Sequence, residues 1–569
     1  MIAPSLRGSV ALIAAAALLA TAARAATVQS PADDVPSGES VRPPRTAPES
    51  SGARRTSRSG DVRRFVDALA GLPRADRLTR SVFGRSELGR PLVAVTASLQ
   101  DGVARPQILV NANIHGGEVE GKEAVQGLLR EVALGGLEDV LAHVDVTFVP
   151  IFNVDGNDAI ARANRVTQNG PDGGVGRRPN ARGLDLNRDF VKVESSEVRA
   201  LLGLANRLQP VAFFDLHTTN GSPHGYDLTY ASSLSPNADP RLVAFARDGL
   251  FPRLVRELEP QGVFVFDYGN FEYARRERGS RGERGDPIAW STYDPRPRFG
   301  TNLMGLRGTV SILVEAYSYA PFERRIEATR AFTTAALRDL APRAAALADA
   351  RDAGWPAPER HVVASRLIEG EPEPVRVGAW ETVTVDLDPA EPGVQAGTRR
   401  VSEPSADARV VAMRVRRGFE GTRDVPIPAW FAVRDPSPDV VAAMRLHAPG
   451  DPRAAATLRV LDAPVEARAE LFRVESFERS ERVFQGHREV RVTGRFEPGA
   501  VTLPAGTLLV AGTPLTAQLL HPESDDSLGT WNAFDAALES AGAESLEAGS
   551  TVEHPVCALD RLPPGLGPR

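Results

Sequence analysis

At 569 residues the chain has room for two to four domains. Its 42% hydrophobic and 25% charged residues are those of an ordinary globular protein, and a net charge of −6 argues against a nucleic-acid surface. Cys557 is the only cysteine, which excludes an intrachain disulfide; the basic residues are almost all arginine, with Lys122 and Lys192 the only lysines.

The first 25 residues read as a cleavable secretory signal. Arg7 supplies a positive start, Val10 to Ala20 is an apolar run too short to span a bilayer, and Ala23-Arg24-Ala25 fits a cleavage site. The expected product begins at Ala26 and is secreted or periplasmic, with no transmembrane span in the mature chain. Residues 26–60, rich in Ser, Pro, Arg and Asp without an apolar period, predict a disordered linker.

From 61 to 350, strand and helix patterns alternate. Arg90 to Thr96 and Gln107 to Ile114 predict strands, and Glu120 to Leu134 a helix ended by Gly135-Gly136. Val144 to Phe152 predicts a strand, Ser195 to Leu208 a helix, and Phe213 to His217 a strand. A helix over Leu242 to Leu258 is expected to kink at Pro252, and one over Ile326 to Leu347 to be interrupted at Pro342. Between them Thr309 to Glu315 reads as a buried strand. Such alternation predicts an α/β fold, a mixed sheet with helices on both faces.

Two strand ends carry metal-binding side chains. Asn113-Ile114-His115-Gly116-Gly117-Glu118 follows one apolar run, and Val211 to Leu216 leads directly into His217. His-x-x-Glu is by itself a common chance spacing. The carboxyl edge of an α/β sheet, where such folds place their sites, gives it meaning. Two imidazoles and one carboxylate leave a fourth position open on a single Zn2+, the arrangement of a catalytic rather than a structural zinc.

Further polar groups gather around this trio. In Arg178 to Phe190, Asn187 and Arg188 suit a carboxylate, because the guanidinium fork matches two oxygens. Asp185 can accept the free N–H of a metal-bound imidazole and fix its tautomer. Glu315 closes a strongly apolar strand, where desolvation raises a carboxyl pKa towards the range useful to a general base; a structural ion pair with an arginine is the alternative. Trp290 to Asn302, rich in Pro, can lie over a cleft with Tyr293 donating to substrate, or Tyr293 can simply pack.

Beyond 360, short alternating runs punctuated by Pro and Gly predict a β-rich domain over 360–500, a sandwich, followed by a C-terminal tail over 501–569. Its job is not written in the residues; contact with an envelope component, shielding of a cleft and simple stabilisation are all open.

Taken in order, His-x-x-Glu, Asp-x-Asn-Arg, a strand-end His and a strand-end Glu resemble the zinc metallocarboxypeptidases, the carboxypeptidase A superfamily, over about residues 61–345. His115-Gly-Gly-Glu-Val-Glu and the Tyr293 loop are similar to a bacterial secreted branch. The resemblance implies that His115, Glu118 and His217 hold the zinc, that Glu315 activates water, and that Asn187 and Arg188 bind the terminal carboxylate of a peptide or peptide-like substrate. It also implies a substrate-covering Tyr293 and an arginine that polarises the scissile carbonyl; Arg178 is the choice, with Arg177 and Arg182 competing. A zinc deacylase or cell-wall peptide amidase on the same fold stays open, as does a non-catalytic envelope-binding protein.

Overall fold

The structure, a computed structural model, describes residues 42–219, 221–274, 286–353, 359–387, 397–448 and 458–563. The expected signal and residues 26–41 of the expected linker lie outside the described residues. Among the described residues no helix is long and apolar enough to cross a membrane.

Among the described residues ten strands form before residue 320: β1 (Leu78–Arg85), β2 (Pro91–Ala97), β3 (Gln107–Ala112), β4 (Asp145–Val149), β5 (Ala212–Thr218), β6 (Leu228–Ala231), β7 (Val265–Asp267), β8 (Asn270–Tyr273), β9 (Pro287–Ser291) and β10 (Val310–Ala316). Eight of them make a mixed sheet in the order β1-β2-β4-β3-β5-β10-β6-β7. At its centre β4, β3, β5 and β10 run parallel, with Ala112 beside Leu216 and His217 beside Glu315. Strands β5 and β10 are buried at every position, as expected of central parallel strands covered on both faces.

The pleat sends alternate residues to two cores. Ile108, Val110, Phe214 and Leu216 meet the helices Glu120–Ala133 and Phe322–Leu340. Leu109 and Phe213 point the other way, into a core shared with the helix Ser196–Leu208. Ser195 begins that helix as its N-cap, accepting the Val198 N–H. Each of these phenylalanines contributes about 1.5–3 kcal/mol on burial. The two expected proline effects appear in altered form. Pro252 sits in the first turn of Phe251–Leu258, which continues from a π-helical stretch, Phe245–Leu250. Pro342 lies in a 3-10 turn between Phe322–Leu340 and Ala344–Asp352.

The rest of the chain adds β11 (Arg360–Leu367), β12 (Pro372–Leu387), β13 (Gly397–Arg416), β14 (Phe419–Pro426), β15 (Trp430–Val433), β16 (Leu458–Val460), β17 (Val465–Phe484), β18 (His487–Leu503), β19 (Leu508–Ala511) and β20 (Val552–Leu559). These strands do not form the separate sandwich and tail expected from the sequence. Strand β13 pairs in parallel with β9, so β12-β13-β9-β8 is a sheet built from both parts of the chain. Strands β19 and β20, from the expected tail, flank β15 inside a six-stranded sheet, β16-β19-β15-β20-β17-β18. The physical reason is the second core. Phe431, Phe472, Val510 and Trp531 belong to the same buried cluster as Leu109, Phe213 and Leu201. The apolar face of the C-terminal sheet is spent covering the α/β layer rather than facing a second sheet of its own.

The segment from Pro43 to Gly60 also departs from the expected linker. Thr46 caps a short helix, Ala47–Ser51, through a reciprocal capping box with Glu49, and Arg130 binds the Glu49 carboxylate. Glu123, buried in the helix after Glu118, accepts from Thr56 Oγ1 at 2.8 Å and from both the N–H and Oγ of Ser57 at 2.7 Å. Removing that acceptor strands three donors. Glu123→Ala is expected to lower the unfolding free energy by about 2–3 kcal/mol in urea titrations and to open residues 43–60 to protease; a loss under about 1 kcal/mol would show that these bonds do not hold the segment.

Candidate metal centre

The site forms where β3 and β5 end side by side. After β3 the chain turns at Asn113, whose φ of 61° is left-handed, and its side-chain amide donates to the carbonyls of His115, Gly116 and Glu118. A Cβ on Gly116 would lie 2.2 Å from the Gly156 carbonyl carbon, so the close approach of these two backbones requires glycine there. The helix that starts at Glu120 is then pressed on β5, where a Cβ on Gly121 would meet Leu216 at 2.8 Å. This contact sets Glu118 opposite His217.

Glu118 is the hub. Its Oε1 lies 2.9 Å from His115 Nδ1 and 2.8 Å from Arg165 Nη1; its Oε2 lies 2.9 Å from His217 Nδ1 and 3.1 Å from the Thr218 N–H. All three side chains are buried, and one donor atom from each falls within 4.8 Å of the others. The far nitrogens of both rings face carboxylates. His115 Nε2 is 3.1 Å from Asp185 Oδ1, and His217 Nε2 is 3.0 Å from Asp215 Oδ2; the other oxygen of that carboxylate, Oδ1, accepts from the Asn111 amide at 2.9 Å.

That pattern determines what fits between them. A neutral imidazole whose Nε2–H is donated to an aspartate presents a bare lone pair at Nδ1. With that tautomer in both rings two lone pairs would converge on a carboxylate, an arrangement that repels unless a ring carries a proton at Nδ1, as the 2.9 Å His217 Nδ1–Glu118 Oε2 hydrogen bond allows, or a cation sits among them. His115 Nδ1 is buried without an aligned hydrogen-bond partner. Two nitrogen donors and one oxygen donor match the ligand set of a zinc with an open fourth position.

Electrostatics run the same way. Burial drives the Glu118 carboxyl upward, but His115, Arg165 and the hydrogen bond from the His217 ring outweigh it and hold Glu118 well below the ordinary carboxylate range. Burial lowers His217, yet Asp215 and Glu118 raise it well above the ordinary imidazole value. Asp185 is pushed up by burial and pulled further down by His115, Arg178 and Arg188, so it remains ionised. Glu315, on β10 beside His217, moves the opposite way: burial dominates and raises it, against the pull of His217, with Glu118 adding to the rise.

The other anticipated residues surround this centre. Arg178 Nε binds Asp185 Oδ2 at 2.9 Å, and its Nη1 stands 3.6 Å from Glu118 Oε1 with the side chain 40% exposed. Asn187 gives its N–H to Asp185 at 3.0 Å, while its Oδ1 accepts the Gly300 N–H at 2.8 Å. Arg188 stacks on Phe299 at 4.0 Å and donates to the Asn187 carbonyl; among the described residues no carboxylate lies within ion-pairing distance of it. The Tyr293 hydroxyl donates to Asn302 at 3.3 Å, with its ring against Tyr268 and Phe299. Burial and the nearby Glu315 charge raise its pKa.

Sequence reasoning missed two residues of the centre. Asp215 is a lone acid inside the apolar run leading to His217, and that anomaly was a usable signal. Arg165 sits in an irregular loop and carries none, yet it binds Glu118 and donates to the Thr218 carbonyl at 3.1 Å.

Residues 64–237 match the profile of the family described as zinc carboxypeptidase. Human carboxypeptidase D is 32% identical over 188 residues, 26% of this chain and 14% of its own length. Mouse carboxypeptidase Z is 34% identical over 125 residues, 20% of this chain and 18% of its own. The chain thus spans less than a fifth of these curated relatives. Among solved structures, a metallo-carboxypeptidase from Burkholderia cenocepacia is 19% identical with a TM-score of 0.37, over 50% of this chain and 69% of its own. Thrombin-activatable fibrinolysis inhibitor is 16% identical with a TM-score of 0.39, over 55% and 81%.

Asp215→Ala removes the acceptor that orients His217. Zinc affinity, measured by chelator competition, is expected to fall about 10- to 100-fold with the fold intact by circular dichroism. An unchanged affinity would mean that Asp215 does not hold the ring.

Proposed function

We propose that this protein is a secreted or periplasmic zinc-dependent carboxypeptidase, cleaving the peptide bond next to a free C-terminus, with one Zn2+ held by His115, Glu118 and His217. The observation that carries the reading is the convergence of two outer-tethered imidazoles on the Glu118 carboxylate, 2.9 Å from each Nδ1. The location outside the cytoplasm rests on the leader pattern around Arg7, Val10 to Ala20 and Ala25. Bound there, zinc would polarise the scissile carbonyl and make hydroxide available near neutral pH.

In this reading the protein's own groups divide the remaining work. Glu315 takes the proton of the attacking water and passes it to the leaving amine. Burial supports this role, because a carboxyl raised towards neutrality holds a proton strongly enough to deliver it. Arg178 donates to the oxygen that gains charge in the tetrahedral transition state; its exposed Nη1 beside Glu118 supports the assignment over Arg177 and Arg182. Arg188 takes the terminal carboxylate, assisted by the Asn187 side-chain NH2. Its guanidinium is braced by Phe299 and, among the described residues, makes no ion pair with a carboxylate. Tyr293 covers the bound end of the substrate from the 293–300 loop.

Glu315→Gln should retain stoichiometric zinc and lose two to four orders of magnitude in kcat; near-parent turnover would remove Glu315 from the base role. Arg188→Ala should cut kcat/KM on free-ended peptides roughly 30-fold or more and leave C-terminally amidated peptides where they were. A parent that prefers acyl-amino acids or muropeptides over free-ended peptides would make the protein a deacylase or amidase. Stoichiometric zinc with no hydrolysis of any of them would favour an envelope-binding protein.

A further inference from the structure

We propose that the hairpin tip between β17 and β18 is a working part of the metal centre, and that Gln485 is a positioning residue for Asp185 and, through it, for His115 and Arg178. The inference rests on the metal-binding reading above and gives the C-terminal sheet a task at the site.

Asp185 is the most heavily used outer group of the centre. Its Oδ1 meets His115 Nε2 and the Asn187 N–H, and its Oδ2 holds Arg178 Nε. One rotation of this residue therefore moves a ligand, the start of the carboxylate-binding turn and the oxyanion donor together. Its backbone N–H is held from outside the α/β layer: it donates to Gln485 Oε1 at 2.8 Å, across 300 residues of chain. Gln485 occupies a left-handed turn position, φ 52°, a conformation that costs a side-chain-bearing residue roughly 1 kcal/mol or more. A glycine or asparagine would relax that backbone; a glutamine reaches Asp185.

The neighbouring contacts show that this is a dock rather than a chance touch. Two residues along, His487 Nε2 meets Glu194 Oε1 at 2.7 Å while its Nδ1 is fixed by Asn532 at 2.9 Å. His447, on the helix Pro438–His447, meets the Val191 carbonyl at 3.0 Å. Across the cleft, Asp526 accepts both the backbone N–H and the Nε–H of Arg298, one residue before the Phe299 on which Arg188 stacks. Both loops that frame the carboxylate end are thus pinned by residues beyond 430. Of these contacts, the one from Gln485 reaches a residue that itself touches a metal ligand.

The test uses the full chain with Gln485→Met, which keeps length and loses the amide acceptor, and Gln485→Glu, which keeps an acceptor. In Gln485→Met the zinc Kd by chelator competition should rise about tenfold, and kcat should fall by a similar factor at nearly constant KM. Its Tm should stay within about 3 °C of the parent. Gln485→Glu should keep Kd and kcat within about threefold of the parent, since the acceptor is retained. An unchanged zinc Kd in Gln485→Met, or equal losses in both variants with a fallen Tm, would overturn the positioning role. A parent that holds zinc yet releases no C-terminal residue would overturn the carboxypeptidase reading alone, because the comparison of zinc Kd values decides the role of Gln485 without it.

Discussion

The Glu118 carboxylate facing two imidazole nitrogens is the interaction on which the rest of the structure turns. Three buried acceptors cannot be brought together without positive charge among them, whether it comes from ring protons or from a cation. Asp185 and Asp215 face the far nitrogens of the rings. The near nitrogens face Glu118, the side on which a cation would sit in a carboxylate–histidine–metal triad. Arg165 and Arg178 lend partial compensation to Glu118 from the side. The long-range features of the fold follow from keeping that cluster together. Parallel strands put His217 beside Glu315, the turn at Asn113 folds His115 back, and Gly121 lets the helix behind Glu118 close on β5.

The C-terminal half then answers a problem of surface. A sheet with β5 and β10 buried throughout needs cover on both faces, and the helix Ser196–Leu208 alone does not supply it on the second. The six-stranded sheet completes that cover with Phe431, Phe472 and Val510. Having been recruited as core, its long β17–β18 hairpin extends past the core to the rim of the site. Packing and function are in this sense one interface: the same sheet that buries Phe213's neighbours carries Gln485 and His487 to the 185–194 loop.

Much of the centre was legible because its chemistry sits at strand ends, where an apolar run stops at a polar residue. His217 and Glu315 announce themselves that way, and Asp185 and Arg188 by their spacing. What stayed hidden was held by interactions that leave no periodic trace. Residues 43–60 lack an apolar pattern, and so read as linker, because polar bonds to Glu123 and Glu49 fix them. Arg165 lies in an irregular loop. The border drawn near 500 failed because alternation identifies strands but not their partners; β19 and β20 look like any short strand until β15 is seen between them. Gln485 could not be found at all, since its partner lies 300 positions away.

A count of charge around the site joins these observations. Glu118, Asp185, Asp215 and Glu315 are four carboxyl groups, and Arg165 and Arg178 are the two guanidiniums that share their field. The four carboxyl groups outnumber the two guanidiniums, an imbalance that a divalent cation, or a proton on the raised Glu315, would reduce. Arg188 lies outside this balance. Its guanidinium is packed on Phe299 with no carboxylate beside it among the described residues, and burial lowers its pKa against the pull of Asp185. A partly buried cation held without a counter-ion is costly in the free protein and is relieved by an arriving anion. Both the carboxylate-rich cluster and Arg188 fit the proposed reading, in which a divalent cation and the free carboxylate of a substrate would each offset a local charge.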